Sequence, residues 1–146
     1  FSDSIYLAVP VTEADSLSTP VDLRHLQNKK FIALSEGFAT WRGFQEAFQI
    51  AGFTPDITVR VHDIFSLMSM VNAGMGYTLI PGRMRGLFSN GIRLLPLQEP
   101  YRMEQEISLV FPRSQENQPG LLSLLAECRM YARQLMMEKS ETEKTP

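Results

Sequence analysis

The sequence predicts an α/β fold, and three observations predict it. Short runs of β-branched and aromatic residues, at positions 5–9, 31–34 and 77–80, recur along the chain. Between them the apolar residues repeat at helical spacing, as Trp41, Phe44, Phe48 and Ala51 do. Gly and Pro mark the junctions. Strands alternating with helices argue for helices layered on a largely parallel sheet. A chain of 146 residues is long enough for one domain that buries roughly two-thirds of the surface exposed by its unfolded form.

Each element has its own signal. Residues 5–9 are a strand closed by Pro10, and the polar stretch 12–19 reads as a loop. Pro20 and Asp22 open a short helical pattern carried by Val21, Leu23 and Leu26, and residues 31–34 form the next strand. A turn-rich connection from Ser35 to Thr40 leads into a helix with Trp41, Phe44, Phe48 and Ala51 on one face and Gly52 as its stop. Residues 57–61 alternate apolar and polar, the pattern of a half-buried strand. Asp63 is a good N-cap for a helix in which Ile64, Leu67, Met68 and Val71 fall at i, i+3, i+4 and i+7. Phe65 and Met70 widen its apolar face, so burial on more than one side is expected, and Gly74 is the stop.

Residues 77–80 make a strand ended by Pro81-Gly82, followed by a basic turn in which Arg83 and Arg85 read as solvated charges. Residues 92–95 and 106–111 are the last two strands expected. A long helix starts at Pro119 with an apolar stripe of Leu121, Leu122, Leu125, Cys128, Ala132 and Leu135, which would bury Cys128. The methionines, Met68, Met70, Met75 and Met84 among them, read as core filler. Residues 139–146 are polar and are expected to be disordered.

Composition excludes several classes of function. A net charge of −2 and a pI near 5.7 give no general attraction to nucleic acid, which needs clustered Lys and Arg. One cysteine permits no internal disulfide, and no Cys/His spacing suggests zinc; no cofactor or metal is expected. No apolar run approaches a membrane span and no signal peptide is evident, so the reading is a soluble, cytoplasmic protein with no membrane partner. The chain begins at Phe1 and runs almost at once into a strand, the pattern of a fragment of something larger.

Gly74-Met75-Gly76 raises the possibility of a phosphate loop. Such a loop needs strand, glycines and helix in that order, so that helix N–H groups face the anion. Here the order is helix, glycines, strand, and the glycines meet a carbonyl end of negative partial charge. The connection from Ser35 to Arg42 has the favourable order. Ser35 and Thr40 offer hydroxyls, Gly37 lets the backbone approach, and Arg42 can pair with a carboxylate; the alternative is that Thr40 is only an N-cap and Arg42 a surface charge. His62 and Asp63 stand at the next strand-to-helix junction and could line the same cleft. Ser35, His62 and Asp63 could compose a hydrolytic triad, but no Gly-x-Ser-x-Gly elbow accompanies them.

The block Val71-Asn72-Ala73-Gly74-Met75-Gly76-Tyr77-Thr78-Leu79-Ile80-Pro81 resembles a block in the effector-binding domains of LysR-type transcriptional regulators. Tyr6 to Pro10, Asp22-Leu23 before residues 31–34, and Ala51 to Pro55 resemble further landmarks of that family in the same order, over about residues 5–138. The resemblance implies a periplasmic-binding-protein-like (type II) regulatory domain with two α/β subdomains joined by two crossing strands. Residues 1–9 would be a crossover strand, 10–105 effector-binding subdomain II, and 106–138 the return crossover and C-terminal helix of subdomain I. Effector contacts would come from Ser35, Gly37, Phe38, Thr40, Trp41, Arg42, His62, Asp63 and Ile64.

Residues 38–42 and 62–66 are also similar to those of regulators of malonate utilisation, which implies a small, malonate-like carboxylate as the effector. DNA would be reached only through an N-terminal domain outside this chain. A homo-oligomer, or a repositioned last helix, is expected, because the stripe of that helix needs a partner. The alternatives are an extracytoplasmic solute-binding protein of the same fold and a small α/β hydrolase.

Overall fold

The computed structural model describes residues 1–88 and 90–142. The elements are β1 (Ser2–Asp3), β2 (Ile5–Pro10), α1 (Val11–Ala14), a 3-10 turn (Leu23–Leu26), β3 (Lys30–Leu34), α2 (Ala39–Ala51), β4 (Asp56–Val61) and α3 (Ile64–Asn72). They continue with β5 (Thr78–Pro81), a 3-10 turn (Gly82–Leu87), β6 (Ile92–Pro96), a 3-10 turn (Glu99–Tyr101), β7 (Gln105–Glu106), a 3-10 turn (Arg113–Gln115) and α4 (Pro119–Thr142). Two compact units result, one of Ser2–Gln105 and one of Phe1 with the residues from Glu106 on.

In the larger unit β2 lies between β5 and β6 and is antiparallel to both. β3 and β4 are parallel, and a parallel bridge from Phe31 to Tyr77 sets β3 beside the start of β5. Thus β3, β4, β5 and β6 share a direction and β2 opposes them. The expected parallel sheet therefore has a reversed strand inside it, because apolar patterning reports which face a residue takes and is blind to strand direction.

Both faces of the sheet are covered. Leu7, Val9, Phe31, Ala33 and Leu79 join Phe44 and Phe48 of α2 in one cluster, while Ala8, Ile32, Leu34 and Ile80 join Leu67, Met68 and Val71 of α3 in the other. Alternate residues of each strand serve opposite clusters, which is why these strands read as unbroken apolar runs. Phe31 sits edge-on to Phe44, Phe48 and Tyr77 at 6.2, 4.8 and 6.3 Å. Fully burying one such ring contributes roughly 1.5–3 kcal/mol.

β4 departs from simple alternation. Phe31 pairs with Ile57 but Ile32 pairs with Val59, so Thr58 is an extra, bulged residue. Ile57 consequently packs on the α2 side and Val59 and Val61 on the α3 side. The bulge also turns Arg60 over the ring of Trp41, at 4.3 Å.

α2 and α3 both end on a left-handed glycine. Gly52 (φ +79°) and Gly74 (φ +73°) allow paired closing bonds: Gly52 N–H to Gln49 O with Phe53 N–H to Phe48 O, and Gly74 N–H to Val71 O with Met75 N–H to Met70 O. α3 is buried on one side only. Phe65 is 63% exposed and meets the ring of Phe88 at 6.4 Å, because the sheet can cover only one face of a helix lying on it. Met68 is buried and Met75 exposed, so not every methionine fills the core. α1 (Val11–Ala14) makes one helical turn, although residues 12–14 belong to the stretch that reads as loop. Arg83 pairs with Asp3 instead of standing solvated.

The smaller unit differs more from expectation. Of the 106–111 region only Glu106, the last residue of β7, is strand. Phe1 and Ile107 exchange hydrogen bonds at 2.9 Å in each direction, and among the described residues of this unit no strand continues alongside residues 108–111, so their alternation has no ladder to join. α4 follows from Pro119 as predicted, but Cys128 is exposed; the stripe that carries it is half-buried at Leu121, Leu125, Ala132 and Leu135 and exposed at Leu122. The helix runs through Thr142 and so includes residues 139–142, where Lys and Glu propagate a helix well. Residues 143–146 lie outside the described residues.

Candidate functional site

The carboxyl ends of the parallel strands β3 and β4 deliver Ser35 and His62 to one place. The Ser35 N–H donates to Val61 O at 2.9 Å, prolonging the β3–β4 ladder by one rung. Ser35 Oγ lies 3.1 Å from the same carbonyl and 3.0 Å from His62 Nδ1. A hydroxyl has one proton, so both bonds form together only when Oγ donates to Val61 O and accepts from a protonated Nδ1. In that arrangement His62 is a donor and cannot take a proton from Ser35.

Asp63 is occupied elsewhere. Its Oδ1 accepts from the Ser66 N–H at 2.8 Å and its Oδ2 from the Ser66 hydroxyl at 2.6 Å, which caps α3. The Ser66 hydroxyl bond, then the Ser66 backbone bond, hold this carboxyl below the usual carboxylate range. Ser35 and His62 are brought together, as the residue pattern allowed, but Asp63 orients no base. Ile64 is half-buried against the α3-side core.

α2 starts differently. Gly37 (φ +104°) turns the chain and Phe38 occupies the N-cap position, with no side-chain cap bond. Thr40 is therefore inside the first turn and is not the cap, because the helix begins two residues earlier than its apolar face suggested. The first turn carries no acidic residue, so the positive end of α2 faces the carboxyl edge of the sheet without a carboxylate of its own. Phe38 and Arg42 are exposed and Thr40 is half-buried. Trp41 is buried and stacks on Phe44 at 5.6 Å, so it supports the loop from beneath.

Sequence reasoning missed Arg60 and Glu36. Both line a groove of about 600 Å³ on the α2–β4 flank, with Trp41, Phe44, Phe48 and Phe53. Of the predicted site residues only Trp41 reaches it. The signal for Arg60 was an interrupted alternation, which a bulge conceals.

A smaller hollow of about 220 Å³ lies at the other end of β3, beside Gly74 and Gly76. The Tyr77 hydroxyl donates to Glu13 there, and burial, reinforced by that bond, pushes the Tyr77 phenol up. Lys29 stands 5.4 Å over the Tyr77 ring. Glu13 makes this a poor seat for a phosphate. Among the described residues no group of His, Cys, Asp and Glu could hold a metal ion, and no helix is long and apolar enough to cross a membrane.

Residues 1–133 match the family model described as LysR substrate binding domain. The chain is 51% identical over 135 residues to a malonate utilization transcriptional regulator of Klebsiella pneumoniae, spanning 92% of this chain and 44% of that protein. Its fold is similar to the regulatory domain of CcmR from Synechocystis PCC6803, solved in complex with 2-PG (TM-score 0.65, 13% identity, 86% of this chain and 63% of that one). It is also similar to HinK, a LysR family transcriptional regulator from Pseudomonas aeruginosa (TM-score 0.60, 20% identity, 72% and 37%). The chain thus spans less than half the length of the Klebsiella regulator.

Proposed function

Since this chain belongs to the family of LysR substrate-binding domains, which serve transcriptional regulators and not enzymes, we propose that it senses a small dicarboxylate of the malonate type. The observation that carries this reading is the contrast between the two helix starts. α3 is closed by the carboxylate of Asp63, whereas α2 has no side-chain cap and no acidic residue in its first turn. A carboxylate ligand supplies at α2 what Asp63 supplies at α3. Ser35, Thr40 and Arg42 stand around that end with two hydroxyls and a guanidinium, and Gly37 and Phe38 form the backbone turn over it. His62, held by Ser35, stands at the same sheet edge, while Ile64 bounds the site on its apolar side. Half identity to a regulator of malonate utilisation supports the choice of acid.

Ligand binding biases the domain toward one conformation, and DNA-binding parts beyond residues 1–146 read out that bias, in the cytoplasm and in an assembly of several copies. Residues 10–105 act as the effector-binding half and residues 1–9 and 106–138 as the connection to the other half. The solute-binding and hydrolase readings lose their ground, because the family is one of regulators and Asp63 completes no triad.

The test is calorimetric titration of the chain with malonate, succinate and acetate. Malonate is expected to bind best, and Arg42→Ala to weaken it by roughly ten- to a hundredfold, as loss of a charge-assisted hydrogen bond does. Malonate binding equally well to Arg42→Ala and Ser35→Ala would remove this site from consideration.

A further inference from the structure

The chain enters and leaves the Ser2–Gln105 unit through a polar junction that the effector reading does not use. Asp3 is 6% exposed, yet its carboxylate is engaged on both oxygens. Oδ1 accepts from the Ser4 N–H at 2.9 Å, and Oδ2 accepts from the Arg83 N–H at 3.0 Å and from Arg83 Nη1 at 3.2 Å. The same Nη1 donates to Gln105 Oε1 at 3.0 Å. One guanidinium nitrogen thereby holds the last residue of β1 and the first residue of β7.

The turn that carries Arg83 is fitted to this position. The Gly82 N–H donates to Ser4 O at 2.9 Å. A Cβ at residue 82 would come within 2.6 Å of the Tyr6 ring and 2.9 Å of Asp3 Oδ1, so only glycine lets the turn lie this close. The junction also meets the helix that opens the candidate site. A Cβ at Gly43 of α2 would lie 2.3 Å from Ile5 Cδ1 and 3.8 Å from Gln105 Nε2. The Ile5 side chain of β2 therefore packs closely over the Gly43 backbone of α2, and the Gln105 amide lies beside it.

We propose that Asp3, Arg83 and Gln105 form a latch fixing the path of the two strands at this junction, and that α2 transmits effector binding to it. A ligand on residues 35–42 pulls on the first turn of α2. The helix moves as a body, and Gly43, one turn further on, carries the Ile5 side chain packed on it with Gln105 alongside. Arg83 is then a positioning residue for the response and touches no ligand. The latch stands on the bonds above; its control by a ligand rests on the effector reading, and separate arms of one experiment test the two.

The measurement is amide hydrogen exchange on the whole chain, comparing wild type with Arg83→Met and with the milder Gln105→Leu, which removes only the distal acceptor. Without ligand, segments covering residues 2–4, 82–83 and 105–106 are expected to exchange at least roughly tenfold faster in Arg83→Met, with β2, β5 and β6 unchanged. Gln105→Leu should loosen residues 105–106 alone. Unchanged exchange at the junction in both variants overturns the latch. With malonate, wild type should gain protection at residues 105–106, and Arg83→Met should bind malonate with unchanged affinity but show no such gain. A gain that persists in Arg83→Met overturns the coupling. Failure of wild type to bind malonate counts against the effector reading, and the ligand-free arm still decides the latch.

Discussion

Gly74 and Gly76 are both needed, for different reasons, although they stand one residue apart. Gly74 is left-handed at φ +73°, a conformation disfavoured by roughly 1–2 kcal/mol for a residue with a Cβ. Gly76 has no such angle, but a Cβ there would lie 2.9 Å from the Lys30 carbonyl oxygen and 3.2 Å from Ile32 Cγ1. Gly74→Ala should thus lower unfolding free energy in urea by roughly 1–2 kcal/mol, and Gly76→Ala by roughly 1–3 kcal/mol through overpacking. Neither should alter malonate affinity; a binding defect with unchanged urea midpoint would return the pair to the ligand site. That Gly74 stops a helix was legible from element order alone, whereas the close approach of Gly76 to Lys30 was not. The Ser35–His62 contact was legible only as a shared sheet edge, since a 3.0 Å bond between residues 27 apart is made by the β3–β4 register. Arg60 was not legible, because one bulged residue at Thr58 reverses which side its chain takes.

At the scale of elements, helices were read more surely than strands. An amphipathic helix declares its buried face within its own sequence, as α2 does with Trp41, Phe44, Phe48 and Ala51, and declares its stop with a glycine. A strand depends on neighbours supplied from far along the chain. Hence the reversed direction of β2 and the absence of ladder at residues 108–111 lay beyond any local pattern. Capping is likewise local, and α3 offers a test of it. Asp63 has a folded pKa below its ordinary 3.8, so its contribution is complete above that value and is lost as pH falls through the depressed folded value. Asp63→Asn keeps a capping oxygen but does not titrate. The melting temperature of wild type should exceed that of the variant by a constant margin from pH 7 to about 4, and the margin should close below that. A margin that widens on acidification would mean that the Ser66 bonds do not control this carboxylate.

For the whole molecule the open question is what covers α4. In the Ser2–Gln105 unit the apolar faces of α2 and α3 meet a sheet, and the cores on both sides are closed. In the other unit Leu122, Leu124, Met130 and Tyr131 are exposed, Leu121, Leu125 and Leu135 are only half-buried, and Cys128 is exposed. Most helical stability in a protein comes from packing of an amphipathic face and not from propensity, and an exposed apolar stripe favours association. Both arguments point to self-association through α4. The chain in sedimentation equilibrium is expected to show concentration-dependent assembly. Leu121→Lys combined with Leu125→Lys should leave a monomer with weaker helical circular dichroism, because the helix loses the packing that sustains it, while the urea transition of the Ser2–Gln105 unit stays where it was. A wild-type chain that remains monomeric at high concentration with full helicity would show that α4 needs no covering copy. A double variant that still assembles would place the interface elsewhere.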